Sequence, residues 1–116
     1  MPAFQYNSTV KDGVTIVAIA GSLDVVSAKQ LDAKLSADIA KGARRVVINL
    51  SKVDYIASAG LGIIVGANAA LKKQGGEVRL SALPDKIAKI FELLSFSKLF
   101  KIHKTDTEAL ASLSGK

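Results

Sequence analysis

One short segment near the middle of the chain carries the arrangement of residues that points to chemistry. It reads Asp54-Tyr55-Ile56-Ala57-Ser58-Ala59-Gly60-Leu61-Gly62 and surrounds one serine with small side chains. The helical spacing of Leu61, Ile64 and Val65 predicts that a helix begins here, with Ser58 as its N-cap. The Ser58 hydroxyl is therefore expected to be exposed at the start of a helix.

A phosphate on Ser58 would suit this position. A helix N-terminus offers N–H donors and a partial positive charge, so a phosphate there would be stabilised and would not melt the helix. It would add about −1.5 to −2 charge units at pH 7, enough to repel an acidic partner surface or to disrupt a close contact. The residues alone leave two interpretations open, a regulated serine or an ordinary N-cap.

Three glycines, Gly60, Gly62 and Gly66, lie within the predicted helix. Each is expected to cost about 1 kcal/mol of helix stability relative to alanine. Their presence predicts that something approaches the helix backbone closely. That neighbour is either the sheet of the same protein or a partner protein, and the residues do not distinguish the two.

The rest of the composition argues against most catalytic and metal sites. The chain has 116 residues, no cysteine and one histidine, His103. Disulfides, thiolate ligands and histidine clusters are thereby excluded, and we interpret His103 as an ordinary edge-strand residue. A nucleotide-binding or phosphoryl-transfer enzyme is the weakest function considered, because no Walker lysine accompanies the glycines and no general base lies close to Ser58 in sequence. We expect no cofactor and no metal.

The net charge of +6 suits nucleic acid or an acidic partner surface. The lysines are spread over separate predicted helices and aromatic residues make up only 5% of the chain, so the pattern of a single-strand binder is missing. We expect no nucleic-acid partner. No apolar stretch reaches the ~18 residues of a membrane span, and the first residues lack the pattern of a signal peptide. We therefore expect a cytoplasmic protein without membrane insertion.

The surrounding patterns predict the elements that position Ser58. Strand patterns, the first two joined by a turn at Lys11-Asp12-Gly13, cover residues 4–10, 14–19, 45–50, 77–81 and 100–102. Helical patterns begin near Ser27, Ala59, Pro84 and Thr105. The order predicts one α/β domain over residues 1–116, with a mixed sheet of four to five strands and about four helices.

Capping signals set the expected helix ends. Ser27 with Gln30 forms a capping-box pattern for the first helix, and Gly42 is placed to end it. Pro84 suits the first turn of the third helix, which leaves Leu83 as its N-cap. Thr105 and Glu108 form a second capping-box pattern for the last helix.

Two segments resemble signatures of the STAS domain, a family named after sulphate transporters and anti-sigma factor antagonists. They are Gly21-Ser22-Leu23-Asp24 after the second strand and Ser58-Ala59-Gly60-Leu61-Gly62 at the second helix. The resemblance covers nearly the whole chain, including Gly75-Gly76-Glu77 and Leu99-Phe100-Lys101-Ile102. It implies the fold of that family and a bacterial signalling protein that is not an enzyme.

In anti-sigma factor antagonists the serine two places before the Gly-Leu pair is phosphorylated, and it corresponds to Ser58. The resemblance implies that the unphosphorylated form binds an anti-sigma factor serine/threonine kinase and frees a sigma factor. The phosphorylated form lets go until a phosphatase restores it. Asp24 matches the family's acidic residue beside the site and would share a rim with Ser22 if the second strand lies next to the central one. The alternative is that Asp24 is a helix-start residue beside Ser27.

One residue departs from the sporulation members of the family, which carry an aspartate immediately before the phosphorylated serine. This chain has Ala57 there. Two functions therefore stay open: a phosphorylation-controlled switch, or a phospho-independent STAS scaffold in a signalling complex or with a transporter. For the switch, the expected partner-binding residues are Ser22, Asp24, Ala57, Ser58, Ala59, Gly60 and Leu61.

Overall fold

A five-stranded mixed sheet forms the centre of the protein, and its strands lie side by side in the order of the sequence. The computed structural model describes residues 3–114. The strands are β1 (Gln5–Lys11), β2 (Val14–Leu23), β3 (Arg45–Ile56), β4 (Glu77–Ser81) and β5 (Ile102–His103). β1 pairs antiparallel with β2, whereas β2, β3, β4 and β5 are mutually parallel. The predicted mixed sheet is confirmed.

Within the described residues, helices cover both faces of this sheet. They are α1 (Val25–Ala40), α2 (Ser58–Lys72), α3 (Asp85–Leu93) and α4 (Asp106–Ser114). Val46 and Ile48 of β3 share one core with side chains of α1, α2 and α3. Val47 points to the opposite face and packs against Ala109 and Leu113 of α4. The apolar run of β3 is therefore covered on both sides, and the predicted α/β class with about four helices is confirmed.

The β1–β2 hairpin closes through a tight turn, as the sequence predicted. Asp12 and Gly13 have φ angles of 53° and 77°, the left-handed values that the two central residues of a type I′ turn require. Asp-Gly is a preferred pair for this turn because glycine carries no Cβ and aspartate tolerates the left-handed region.

β2 and β3 are both longer than their apolar runs predicted. β3 continues beyond Leu50 to Ile56 and β2 continues to Leu23, so the two strands stay paired as far as Leu23 opposite Ile56. The added part of β3, Ser-Lys-Val-Asp-Tyr-Ile, mixes polar and apolar residues and lacks the unbroken apolar run of residues 46–48. Pairing with β2 supplies the backbone hydrogen bonds that hold it extended.

The starts of all four helices differ from prediction in some respect. Pro84 is the N-cap of α3, which begins at Asp85, so the assignment of Leu83 as N-cap is wrong. Thr105 caps α4 as predicted, since its Oγ1 accepts the Glu108 N–H at 3.1 Å. The Glu108 carboxylate accepts from the Lys104 N–H at 3.4 Å and not from Thr105, which leaves the expected box half formed. The remaining differences, at α1 and α2, are described with the site.

The edge of the sheet beyond β4 is shorter than predicted. β5 is Ile102–His103, which keeps His103 in an edge strand as expected. Phe100, assigned to this strand from the sequence, instead belongs to the core, where its ring meets Phe91 at 6.3 Å and Phe96 at 6.5 Å between centroids. Across residues 3–114, no helix has both the length and the apolar character needed to cross a bilayer.

Asn68 of α2 is buried and joins two parts of the chain. Its Oδ1 accepts the Val78 N–H at 2.9 Å, and its Nδ2 donates to the Leu99 carbonyl at 3.4 Å. The first bond satisfies a backbone group at the start of β4, and the second ties down the segment before β5. One side chain thereby fixes the helix against the sheet.

Asn68→Ala is expected to lower the free energy of unfolding by about 1–3 kcal/mol, because it leaves the buried Val78 N–H without an acceptor. Asn7→Ala, at an exposed position of β1, is the matched control and should change it by less than about 0.5 kcal/mol. Urea denaturation followed by circular dichroism measures both. Equal stability of Asn68→Ala and the parent protein would contradict the assigned role.

Candidate functional site

The parallel pairing of β2 and β3 brings the two signature segments together. Ser22 lies opposite Tyr55 and Leu23 opposite Ile56, and the Ala57 N–H donates to the Leu23 carbonyl at 2.8 Å. The condition set from the sequence, that the second strand lies next to the central one, is confirmed. We call the edge of the sheet formed by residues 22–26 and 54–61 the rim.

Ser58 is exposed on this rim as the first residue of α2. The prediction that it is the N-cap is wrong by one residue, because Ala57 occupies that place with φ −90° and ψ 166°. The Ala57 carbonyl accepts the Leu61 N–H at 3.1 Å, while its own N–H is bonded to β2. The chain therefore turns into the helix at Ala57, whose side chain makes no capping bond.

The two helices that begin at the rim differ in how their N-termini are capped. The carboxylate of Asp24 caps α1, whereas α2 has neither a capping side chain nor an acidic residue in its first turn. The positive end of the α2 dipole is therefore not balanced by a carboxylate of its own first turn. A negative group on Ser58 would meet that field.

Asp24 is the N-cap of α1 and forms the capping box with Ser27 three residues later. Asp24 Oδ1 accepts the Ser27 N–H at 2.9 Å, and Ser27 Oγ accepts the Asp24 N–H at 2.8 Å. The prediction that Ser27 is the N-cap with Gln30 as its partner is wrong, because Ser27 is buried and its hydroxyl donates to the Ser22 carbonyl at 2.6 Å. The backbone and then the side-chain bond from Ser27 hold the pKa of Asp24 below its usual value.

Ser22 lies on the rim but is buried. Its hydroxyl donates to Asp54 Oδ1 at 2.7 Å, and Asp54 itself is exposed. Ser22 therefore positions a carboxylate at the surface and has little surface of its own to offer. Asp54 was not selected from the sequence, because its partner is 32 residues away and no local spacing signals the pair.

The glycines of α2 divide between the two explanations that the sequence left open. A Cβ on Gly60 would lie 3.2 Å from the Leu23 Cβ and 3.3 Å from Ile56 Cγ1, so Gly60 lets the helix approach the sheet. Leu61 is buried beside it. A Cβ on Gly62 or Gly66 would meet nothing within 4 Å, and packing within this chain does not explain these two.

Gly62 and Gly66 instead line an open groove between α1 and α2. Its volume is about 390 Å³, and its other lining residues include Leu35, Ile39 and Ala70. Ser58, Gly62, Gly66 and Ala70 are spaced four residues apart and therefore lie on one stripe of the helix. The groove runs along α2 on the stripe that begins at Ser58.

Exposed apolar side chains border Ser58 on the rim. They are Val25, Val26 and Tyr55, and Ala59 beside Ser58 is also exposed while Ala57 is half-buried. We call Val25, Val26 and Tyr55 the apolar collar. Its exposure was not predicted from the sequence, although Val25 and Val26 lie off the apolar stripe of α1, which is the signal that could have identified them.

No metal site accompanies these features. Among the side chains of the described part of the chain, no group of three or more histidine, aspartate or glutamate residues could hold an ion. The arrangement at the rim is one of shape and charge: an accessible hydroxyl, small neighbours, an apolar collar and two exposed carboxylates.

The fold and the rim define the class of protein. The family model described as the STAS domain matches residues 5–109, and the chain belongs to this family. SpoIIAA has the same fold: its unphosphorylated structure gives a TM-score of 0.83 at 23% identity and covers 98% of both chains. The phosphorylated Bacillus structure gives 0.75 at 23% identity and covers 96% of this chain and 99% of that one.

Sequence relatives narrow the class further. The chain is 35% identical over 101 residues to a Bordetella bronchiseptica protein named as an anti-sigma factor antagonist, BtrV, with 87% of each chain covered. It is 30% identical over 97 residues to the anti-sigma-B factor antagonist of Staphylococcus aureus, with 84% of this chain and 90% of that one covered. The resemblance to the anti-sigma factor antagonists that was read from two short segments is confirmed.

The lowered pKa of Asp24 predicts a pH dependence of stability. Because the folded carboxylate is favoured, its contribution is complete above the usual aspartate pKa of about 3.9 and is lost as the pH falls through the lowered folded value. Ser27→Ala should raise the pKa of Asp24 towards its usual value, since it removes the Ser27 hydroxyl that donates to Asp24 Oδ1 at 3.0 Å. Ser36→Ala, on the exposed face of the same helix, should leave it unchanged. Side-chain NMR titration measures both, and an unaltered Asp24 pKa in Ser27→Ala would contradict this assignment.

The glycine environments predict opposite effects of the same substitution. Gly62→Ala should raise the free energy of unfolding by about 1 kcal/mol, because alanine favours the helix and its Cβ enters open space. The free energy of unfolding of Gly60→Ala should be lower than that of Gly62→Ala by at least about 1 kcal/mol, because the added Cβ presses on Leu23 and Ile56. Urea denaturation of the two variants provides the comparison. If Gly60→Ala proves as stable as Gly62→Ala, the close approach at Gly60 is not a constraint.

Proposed function

We propose that this protein is a phosphorylation-controlled binding switch. Its unphosphorylated rim binds an anti-sigma factor that is also a serine/threonine kinase, phosphorylation of Ser58 releases that kinase, and a phosphatase restores binding. ATP is consumed by the partner, so the chain contributes a binding surface and no catalytic group. The observation that carries the proposal is the exposed Ser58 hydroxyl at an uncapped helix N-terminus, bordered by apolar surface.

The affinity of the unphosphorylated form is assigned to the apolar parts of the rim. Val25, Val26 and Tyr55 expose large apolar side chains, and the adjoining groove allows close approach along Gly62 and Gly66. Removing such surface from water is favourable by about 25 cal/mol per Å². The small residues beside Ser58 leave its hydroxyl within reach of a kinase.

Phosphorylation would reverse this balance without unfolding the protein. The phosphate would sit at the positive end of α2, where a negative group stabilises the helix by about 0.3–1 kcal/mol. It would also join the exposed carboxylates of Asp24 and Asp54 and add about −1.5 to −2 charge units to the surface the partner must cover. Burying that charge without a cation opposite is expected to cost several kcal/mol. Binding is lost while the fold is kept.

The relatives support the proposed switch. Two of them are named as anti-sigma factor antagonists, and a neighbour with the same fold exists in a phosphorylated form. A sigma factor acts in transcription, so the switch is proposed to work in the cytoplasm and to control gene expression. The proposal includes neither nucleic acid nor insertion into a membrane.

Ala57 favours a second candidate, a STAS scaffold that binds its partner irrespective of phosphorylation. An aspartate at this position in sporulation members would add a carboxylate next to the serine, and here that carboxylate is missing. If the protein is a switch, the kinase would have to recognise Ser58 through the carboxylates of Asp24 and Asp54 instead. The scaffold has no need of them.

Phosphorylation is tested with ATP and the kinase encoded nearest to the gene of this protein, followed by phosphate mapping by mass spectrometry. Phosphate is expected on Ser58, to be abolished by Ser58→Ala and to persist in Ser8→Ala, which changes an exposed serine on β1. Modification elsewhere, or of Ser58→Ala, would refute Ser58 as the site. No nucleotide turnover is expected from the purified chain alone.

Calorimetric titration of the kinase separates the switch from the scaffold. Ser58→Ala should bind within about twofold of the parent protein, and Ser58→Asp at least about tenfold more weakly, equivalent to about 1.4 kcal/mol. Ser8→Asp carries the same charge change away from the rim and should bind like the parent. Equal affinity of Ser58→Ala and Ser58→Asp would leave only the scaffold.

A further inference from the structure

We propose a second protein-binding surface on this chain, separate from the rim, that takes an acidic partner segment with apolar side chains. It lies between the end of α3 and β5. We call it the leucine–lysine surface, and its residues are Leu93, Leu94, Leu99 and Ile102 with Lys89, Lys98, Lys101 and Lys104.

Four large apolar side chains are exposed within ten consecutive residues. Leu93 is 84% exposed, Leu94 50%, Leu99 49% and Ile102 39%. Exposed apolar residues scattered singly are ordinary on protein surfaces, whereas a cluster indicates a contact site. The other large apolar side chains exposed in residues 3–114 are the apolar collar and the isolated Val10. The leucine–lysine surface is thus the larger of the two clusters.

This cluster rests on an ordered base. Phe91, Phe96 and Phe100 pack edge to face with centroid distances of 5.8, 6.3 and 6.5 Å. Between them the chain turns at Ser95, whose φ of 60° directs it out of α3. The leucines are therefore presented by a packed segment, and less conformational entropy is lost when a partner covers them.

Charge decides the kind of partner. Residues 86–105 contain five lysines and a single acid, Glu92. Lys89 precedes Leu93 by one helical turn and so lies on the same side of α3, and Lys98 and Lys101 flank Leu99. A second copy of this chain would bring lysine against lysine, which is unfavourable. Carboxylates on the partner would complement the surface and fix its orientation.

The edge strand favours a protein partner over a bilayer. β5 is an outer strand of the sheet, so its outward backbone groups have no further strand beside them in the described part of the chain. A polypeptide segment can pair with such groups. Hydrocarbon cannot, and each unsatisfied group would cost several kcal/mol there.

The surface is remote from Ser58. Leu99 is tied to α2 by the Asn68 amide, and Asn68 is ten residues beyond Ser58 on that helix, about 15 Å at 1.5 Å per residue. One partner could therefore occupy the rim while another occupies the leucine–lysine surface. This inference does not depend on phosphorylation.

The test uses a peptide of about 12 residues in which leucine and glutamate alternate, as they would on the two faces of an extended strand, with the version carrying lysine in place of glutamate as control. The glutamate peptide is expected to bind, more weakly as salt rises, and to shift amide NMR signals of residues 89–104 but not those of residues 57–61. The double substitution Leu93→Ser, Lys98→Glu should weaken binding at least about tenfold. Val10→Ser, Lys34→Glu, a matched change at exposed positions elsewhere, should weaken it less than about twofold.

Three results would overturn the proposal. The first is that the glutamate peptide binds no better than the lysine peptide, or that it binds the Leu93→Ser, Lys98→Glu variant as tightly as the parent protein. The second is that the protein binds to phosphatidylglycerol vesicles and that the same substitutions abolish this binding, since this assigns the surface to a membrane. The third is that the protein self-associates in sedimentation equilibrium and that the same substitutions abolish the self-association, since this assigns the surface to a second copy of the chain. Circular dichroism confirms that each variant is folded.

Discussion

The parallel pairing of β2 with β3 is the constraint on which the rest of the site depends. Parallel strands end at the same edge of a sheet, so the chain leaving β2 and the chain leaving β3 start their helices side by side. The bond from the Ala57 N–H to the Leu23 carbonyl, at 2.8 Å, carries this pairing one residue past β3. Because Gly60 has no side chain, α2 can then begin directly against Leu23. The position of Ser58 follows from these contacts.

The same geometry gives two neighbouring helix N-termini with different electrostatics. Asp24 balances the positive end of α1 with its own carboxylate, and Ser27 holds that carboxylate in place. α2 begins with alanine and serine and has no acid in its first turn. A phosphate on Ser58 would supply the missing negative group at α2, while its charge would face any partner seated on the apolar collar. Stability and affinity are thereby expected to respond in opposite directions to one modification.

Strong local patterns made most of the fold predictable. The apolar run of β3, the stripe of α2 and the Asp-Gly turn each have one physical interpretation, and the structure agrees with them. The N-caps at α1 and α2 were misassigned because a good capping residue stood within a few positions of the true cap. At α2 the choice depends on the bond from Ala57 to Leu23 on the neighbouring strand, which local spacing does not encode. At α1 the deciding bonds are local, from Ser27 to Ser22 and Asp24, and the Asp24–Ser27 spacing could have signalled them.

The site was predictable in its centre and not at its border. Small residues around Ser58 identified the helix start, whereas the burial of Ser22 and the role of Asp54 depend on a bond between residues 32 positions apart. Exposure of Val25, Val26 and Tyr55 also could not be read from residue type, because apolar side chains are more often buried. The exposure of the leucines of the leucine–lysine surface was missed for the same reason, and Leu94 lies just beyond α3.

A phosphate on Ser58 is expected to change the rim and to leave the fold intact. Amide NMR spectra and thermal unfolding of the Ser58-phosphorylated and unmodified protein measure both effects. Shift changes should be confined to residues 22–26 and 54–62, the largest at Ala59 and Gly60, with an equal or higher Tm. Changes spread through the core of the sheet, or a clearly lower Tm, would contradict this expectation.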